Sequence, residues 1–304
     1  MSGSPARSAT YVVNGGDTVL GEVQIVTAKY EDTFLDLGRR HGVGYEEIVA
    51  ANPGVDPWLP GEGTRVVIPS RYVLPDGPRK GIVVSLAEHR LYYFPPIKGN
   101  EPATVVTYPI SVGKMDWKTP LGLTRITDKR TRPIWYPPES VRKEHAAEGR
   151  PLPKAVPPGP DNPLGEYAMR LGIPGGAYLI HGTNRPEGVG MQVTHGCIRM
   201  YPEDIEQFFK MVAVNTPVRI VHQPYKMGWK GEELFIEVHA PLEGQEEGDD
   251  IHSLTQITRL LVSATQDRTV VIDWAKAEQV FNQASGIPEP VMLGGATSQL
   301  VNTP

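Results

Sequence analysis

A single cysteine, Cys197, stands in the 304 residues, so no internal disulfide can form and cysteine usage leaves the redox compartment open. What remains is a free thiol. No run of about 18 apolar residues occurs, which excludes a membrane-spanning helix. Lys/Arg-rich tracts are missing, and with a formal charge of −5 the chain lacks the basic surface that nucleic acid calls for. The opening MSGSPARSAT is small and polar rather than a charged stretch followed by an apolar core, so no secretory signal is visible.

What is present is ordinary for a globular chain: 39% hydrophobic and 21% charged residues, at a length that allows two or three domains. Glycine (32) and proline (30) are both abundant, which argues for many turns and short strands over a helical bundle. The expected class is mainly β with some α.

The chemistry concentrates in Ala177–Tyr201, where the cysteine lies between two histidines and an arginine. Ala177-Tyr178-Leu179-Ile180 reads as a buried strand ending at His181. Thr194 to Met200 can run extended, and a period of two would place His195, Cys197 and Arg199 on one face, with Ile198 and Met200 on the other. Gly196 permits a sharp turn, so backbone N–H groups near Cys197 could converge on a developing oxyanion. A thiol attacks as thiolate, and an imidazole that takes its proton, or stands beside it as imidazolium, makes it do so. His181 and His195 compete for that role. Arg199 offers a planar fork for a carboxylate, or serves as a structural ion-pair partner. The plainer alternatives are a buried thiol acting as a small hydrophobe and a zinc site from His181, His195 and Cys197, the latter disfavoured by the lack of any CxxC or HxxxH pattern.

His181-Gly182-Thr183 followed by Thr194-His195-Gly196-Cys197-Ile198-Arg199-Met200 resembles the signature of the L,D-transpeptidases of bacterial cell-wall assembly, the YkuD-type catalytic domain. Thr119-Pro120-Leu121-Gly122 and Asn162-Pro163-Leu164-Gly165 are similar to that family's TPxG and NPLG segments, and the likeness covers roughly Pro78 to His222. It implies a β-sandwich-like catalytic domain with Cys197 as nucleophile, His181 as base and the Gly182 carbonyl orienting its ring. His195, Gly196 and Thr194 would support the site, Thr194 standing where serine is commoner, and Arg199 would bind substrate. No metal and no organic cofactor is implied. Expected partners are peptidoglycan stem peptides and glycan, with carbapenems as inhibitors. The domain order and tail resemble the enterobacterial ErfK/YbiS group, which makes a Braun-type lipoprotein lysine the expected acceptor, with 3-3 cross-linking of stems, hydrolysis as a carboxypeptidase or amidase, and a non-catalytic wall-binding role as alternatives. The implied location is the periplasm, the chain being a mature or truncated form.

In order along the chain, residues 1–22 form a lead-in with a hairpin-like Asn14-Gly15-Gly16-Asp17. Residues 23–69 read strand, helix, helix, strand (βααβ, a small α+β unit), and Asp32-Thr33, Ile48, Ala51-Asn52-Pro53, Leu59-Pro60-Gly61 and Val67-Ile68-Pro69 resemble the pattern of a LysM module, which implies glycan binding. Residues 70–80 read as a linker, 81–222 as the catalytic domain and 223–304 as a C-terminal extension with an acidic stretch, Glu232–Asp250, and two helices. Across a linker, the module would act by tethering alone, leaving acylation by a small β-lactam unaffected. Between Lys129 and Pro163 nine prolines interrupt any periodicity, and a segment this long is more often a lid than a strut. Its excess of Arg and Lys over acids suits an anionic stem peptide, or is simply a solvated loop.

Overall fold

Thr33 starts the first helix by a reciprocal cap: its hydroxyl accepts the Asp36 N–H while the Asp36 carboxylate accepts the Thr33 N–H, at 3.2 and 3.0 Å. Gly42, at φ 67°, ends it in the left-handed conformation. The computed structural model, which describes residues 9–13, 15–114, 117–242, 254–293 and 301–302, places that helix in the expected βααβ unit. Its elements are β3 (Gln24–Thr27), α1 (Phe34–His41), α2 (Tyr45–Ala50) and β4 (Arg65–Ile68). Phe34, Leu37, Val43, Ile48, Val66 and Ile68 form its own core.

The lead-in and the linker differ from expectation. Asn14 lies outside the described residues, and the strands flanking it do not pair with each other. β1 (Ala9–Val12) adds to the edge of the large sheet, and β2 (Val19–Gly21) pairs with β5 (Arg71–Val73). Residues 71–75 are therefore buried, and only 76–80 are exposed as a linker would be. The βααβ unit is also clamped to the large sheet: the Arg90 guanidinium, 1% exposed, takes both Glu47 carboxylate oxygens at 2.8 Å.

From residue 81 the chain builds a nine-stranded sheet from β1, β6 (Gly81–Ser85), β7 (Arg90–Phe94), β8 (Thr104–Pro109), β10 (Gly122–Thr131), β11 (Tyr167–Leu171), β12 (Leu179–His181), β14 (Ile198–Arg199) and β15 (Pro217–Val221). The spatial order is β1-β8-β7-β6-β15-β10-β11-β12-β14, with parallel neighbours only at β6/β15 and β12/β14. β9 (Val112–Gly113) pairs with β13 (Gln192–Thr194). Ser111, just past β8, exchanges backbone hydrogen bonds with Arg199 of β14 at 2.9 and 3.2 Å. One end of the sheet is thus stitched to the other. The expected sandwich is a single sheet curled around a core that includes Ile82, Leu91, Ile126, Ile180 and Ile198. Helix α4 (Pro202–Met211) starts on Pro202, carries Glu203 and Asp204 in its first turn and drives Ile205 and Phe208 into that core. Helix α3 (Glu139–Ala147) sits in the proline-rich segment.

The C-terminal extension is a packed layer, with β16 (Tyr225–Lys230) paired to β17 (Glu233–Val238) and helices α5 (Leu254–Thr265) and α6 (Trp274–Gln283) over its apolar face. Much of the acidic stretch, residues 243–250, lies outside the described residues.

Candidate active site

In the parallel pair β12/β14, Ile180 stands opposite Ile198 and His181 opposite Arg199. Strand alternation then puts Ile180 and Ile198, both fully buried, on the core side and His181, Arg199 and the preceding Cys197 on the other. The shared face of Cys197 and Arg199 agrees with the reading of the sequence. His195 departs from it, because the strand is interrupted: Gly196 adopts φ 91°, and β13 stops at Thr194. Across this bend the two-residue period no longer holds.

The bend is held from three directions. The Thr194 hydroxyl donates to the Cys197 carbonyl at 2.6 Å, and Thr119 donates to the Gly196 carbonyl at 3.1 Å. A Cβ at Gly196 would lie 3.0 Å from the Tyr178 ring, so both the backbone angle and the space require glycine. Among the described residues no carbonyl accepts from the Gly196 or Cys197 N–H. These are the donors an oxyanion would use.

His181 is 5% exposed, and its Nδ1 lies 2.6 Å from the Gly182 carbonyl oxygen. A carbonyl only accepts, so Nδ1 carries the proton and Nε2 keeps its lone pair. Burial lowers the pKa of His181 to about 3, and the Arg199 charge adds to this against the Gly182 hydrogen bond. Burial also pushes the Cys197 thiol up to about 11, with the Leu179 N–H and Arg199 pulling the other way. Cys197 nevertheless keeps partial solvent access, and its sulfur faces the Ala177 carbonyl at 3.6 Å. The resting pair is neutral thiol and neutral imidazole. Arg199 is largely buried, with its own pKa lowered by burial and then by the Arg185 charge. Among the described residues it has no carboxylate within ion-pair distance, and its Nε has no hydrogen-bond partner.

His195 turns away to the proline-rich segment. Its Nε2 is 2.6 Å from Glu144 of α3, which also takes Lys114 Nζ at 2.9 Å, and Trp117 packs edge-on against its ring. The Lys114 and His195 hydrogen bonds hold the Glu144 carboxyl down at about 2. This latch between α3 and the cysteine loop was not legible in the sequence, where Glu144 is one acid among many bases. Much of that basic excess is already used: Arg130 pairs with Asp128, Lys143 with Glu139 and Arg150 with Glu148, while Lys129 donates to the last carbonyls around the end of α4. Asn162, fully buried, pins the segment by donating to the Pro133 carbonyl at 2.8 Å and accepting from Leu164 N–H. Gly165 then presses on Gly182, where a Cβ would come within 3.2 Å of the carbonyl carbon. The NPLG segment thereby supports the group that orients His181.

His181, His195 and Cys197 do not converge as a metal set; among the described residues the group of three that does is Glu88, Glu237 and His239.

The family model for the L,D-transpeptidase catalytic domain, YkuD, matches residues 79–220. "Probable L,D-transpeptidase YcfS" of Escherichia coli (strain K12) is 38% identical over 94% of this chain and 89% of its own length. The chain belongs to the YkuD family of L,D-transpeptidases. Further members share that extent: "Probable L,D-transpeptidase YbiS" of Escherichia coli (strain K12) is 37% identical over 94% of this chain and 92% of its own. "Probable L,D-transpeptidase ErfK/SrfK" of Salmonella typhimurium (strain LT2) is 37% identical over 92% and 89%. The likeness to these L,D-transpeptidases thus spans the βααβ unit and much of the C-terminal layer as well as the catalytic domain. No helix among the described residues is long and apolar enough to cross a membrane.

Proposed function

We propose that the protein transfers the acyl group of a peptidoglycan tetrapeptide stem, with Cys197 as nucleophile and His181 as general base. The observation that carries this is the tautomer of His181: Nδ1–H is committed to Gly182, so Nε2 is left as a base on the sheet face that bears Cys197. Nε2 takes the thiol proton as sulfur attacks the amide between diaminopimelate and the terminal D-alanine. The N–H groups of Gly196 and Cys197 hold the oxyanion, and Thr194 and Gly196 fix the turn that presents them. The proton passes from His181 to the departing amine of D-alanine, leaving a thioester. An acceptor amine then attacks, with His181 again the base. Arg199 takes a carboxylate of the stem, and no step calls for a metal.

Residues 23–69 fit a LysM module that holds glycan beside the stem, and the site of action would be the periplasmic wall. A lysine amine of a Braun-type lipoprotein is the proposed acceptor. Incubating the protein with muropeptides and a lysine-bearing peptide, followed by mass spectrometry, tests the reading. Loss of D-alanine with formation of a new amide is expected. Transfer to a second stem would reassign the acceptor, and loss of D-alanine with water alone would make the protein a carboxypeptidase. A carbapenem should add covalently at Cys197, since its strained carbonyl presents the same electrophile.

A further inference from the structure

Away from Cys197, a cavity of about 230 Å³ opens where three parts of the chain meet. It is lined by Glu46 of α2, by Glu88 and His89 of the β6–β7 turn, and by His239 and Ser285 of the C-terminal layer. Two of these side chains are almost fully buried and still short of a partner: Glu88 is 1% exposed with Oε1 unpaired, and His89 is 4% exposed with Nε2 unpaired. Leaving such atoms dry and unbonded is costly. His89 also sits at φ 49°, unusual for any residue other than glycine.

The partners each residue does have are informative. Glu88 Oε2 takes the Lys226 ammonium at 2.8 Å and the Tyr92 hydroxyl at 2.5 Å, so only Oε1 is free. His239 Nε2 donates to Glu237 Oε1 at 2.6 Å, which leaves Nδ1 with its lone pair. Glu237 itself is filled, by His239 and Lys226 on Oε1 and by the Val73 N–H on Oε2. His89 Nδ1 lies 3.4 Å from Glu46 Oε2, so Nε2 is its free nitrogen. Each histidine is thus oriented by a carboxylate through one nitrogen and presents the other, which is the outer-shell pattern of metal-binding histidines. Glu88, Glu237 and His239 each offer a candidate ligand atom within 4.8 Å of the others, and Glu88, His89 and His239 all line the cavity.

We propose that this cavity binds a divalent transition cation of the zinc type, held by Glu88 Oε1 and His239 Nδ1 with His89 Nε2 swinging in as third ligand. Mixed imidazole and carboxylate donors suit zinc over calcium or magnesium. Lys226 remains on the outer oxygens, where it offsets the charge of Glu88 and Glu237. Because the ligands come from the catalytic sheet and the C-terminal layer, with Glu46 of the βααβ unit behind one of them, the ion would fasten the three parts together.

The test is a Zn²⁺ titration of the full chain after chelator treatment, followed by calorimetry and by thermal melting. A single ion should bind and raise the melting temperature. His239→Gln and Glu88→Gln should each weaken binding at least about tenfold, and Cys197→Ser should leave it unchanged. If those two variants fail to fold, the Co²⁺ spectrum of the unaltered chain decides: nitrogen and oxygen ligation without a sulfur-to-metal charge-transfer band is expected. Absence of binding by the folded chain, binding that survives both substitutions, or sulfur ligation lost with Cys197→Ser would each overturn the site.

Discussion

Gly44 and Gly190 meet so closely that a Cβ on Gly190 would lie 2.3 Å from the Gly44 Cα. Around that contact the N–H groups of Tyr45 and Glu46 donate to the carbonyls of Val189 and Gly190 at 3.4 and 3.2 Å, and the Glu46 carboxylate accepts the Gln192 N–H at 3.2 Å. The loop so held runs from His181 to Cys197. The βααβ unit therefore packs on the loop that joins His181 to Cys197, and a pure tether is not what the packing describes.

Deleting residues 1–69 should accordingly slow acylation by a small β-lactam, by at least about tenfold if the loop loses its register. Gly190→Ala is the finer probe, because Gly190 combines φ 86° with the Gly44 contact. It should destabilise the protein by about 1–3 kcal/mol and slow acylation in the folded fraction. Stopped-flow rates equal to those of the unaltered chain would restore the tethering view.

The two histidines separate cleanly. His181→Ala should lower the acylation rate by about 10²–10⁴, the usual worth of a positioned base. His195→Ala should cost less, since it breaks the Glu144 latch and leaves the His181 base in place. Equal or reversed losses in single-turnover measurements would show that the base is misassigned.

The neutral resting pair fixes a pH profile. His181 works as base only when unprotonated, and with its pKa lowered to about 3 it stays so throughout the neutral range. The thiol, raised to about 11, does not titrate there either. Acylation rates should therefore show no inflection near the ordinary histidine value of 6.5. A limb near that value would indicate a titrating base instead. The same depressed pKa has a stability consequence: between 6.5 and about 3 the unfolded chain binds the proton that folded His181 refuses. Stability is thus present above 6.5 and drains as pH falls toward 3, which melting curves across that range would track.

Arg199→Lys keeps the charge and discards the fork. It should raise KM for carboxylate-bearing stems with a smaller change in kcat, because a point charge cannot make the paired hydrogen bonds. An unchanged KM would return Arg199 to a structural role.

Local signals in the sequence are reliable where one element decides its own fate. Thr33 and Gly42 bound α1, Pro202 opens α4, and His181 ends its strand; the Gly182 carbonyl beside its ring is an implication of the family resemblance, not of a local signal. Pairings between distant segments are not legible. Arg71–Val73 reads as linker because it is short and lies between prolines, and its partner Val19–Gly21 is some fifty residues away. β16 gives no strand signal because Tyr225–Lys230 mixes lysines with aromatics, and the Glu88 and Glu237 carboxylates with the Val73 carbonyl explain why Lys226 can be 1% exposed. Extending a strand period through Gly196, the residue whose freedom breaks it, misplaces His195. That glycine is the available warning.

The central claim is that Cys197 carries the acyl group. Intact-mass measurement of the full chain, quenched during turnover of a tetrapeptide muropeptide, tests it most directly. The predicted result is an adduct equal to the stem less D-alanine, mapping to Cys197 on digestion and missing from a folded Cys197→Ala variant that no longer turns over. An adduct on any other residue, or substantial turnover by Cys197→Ala, would contradict it.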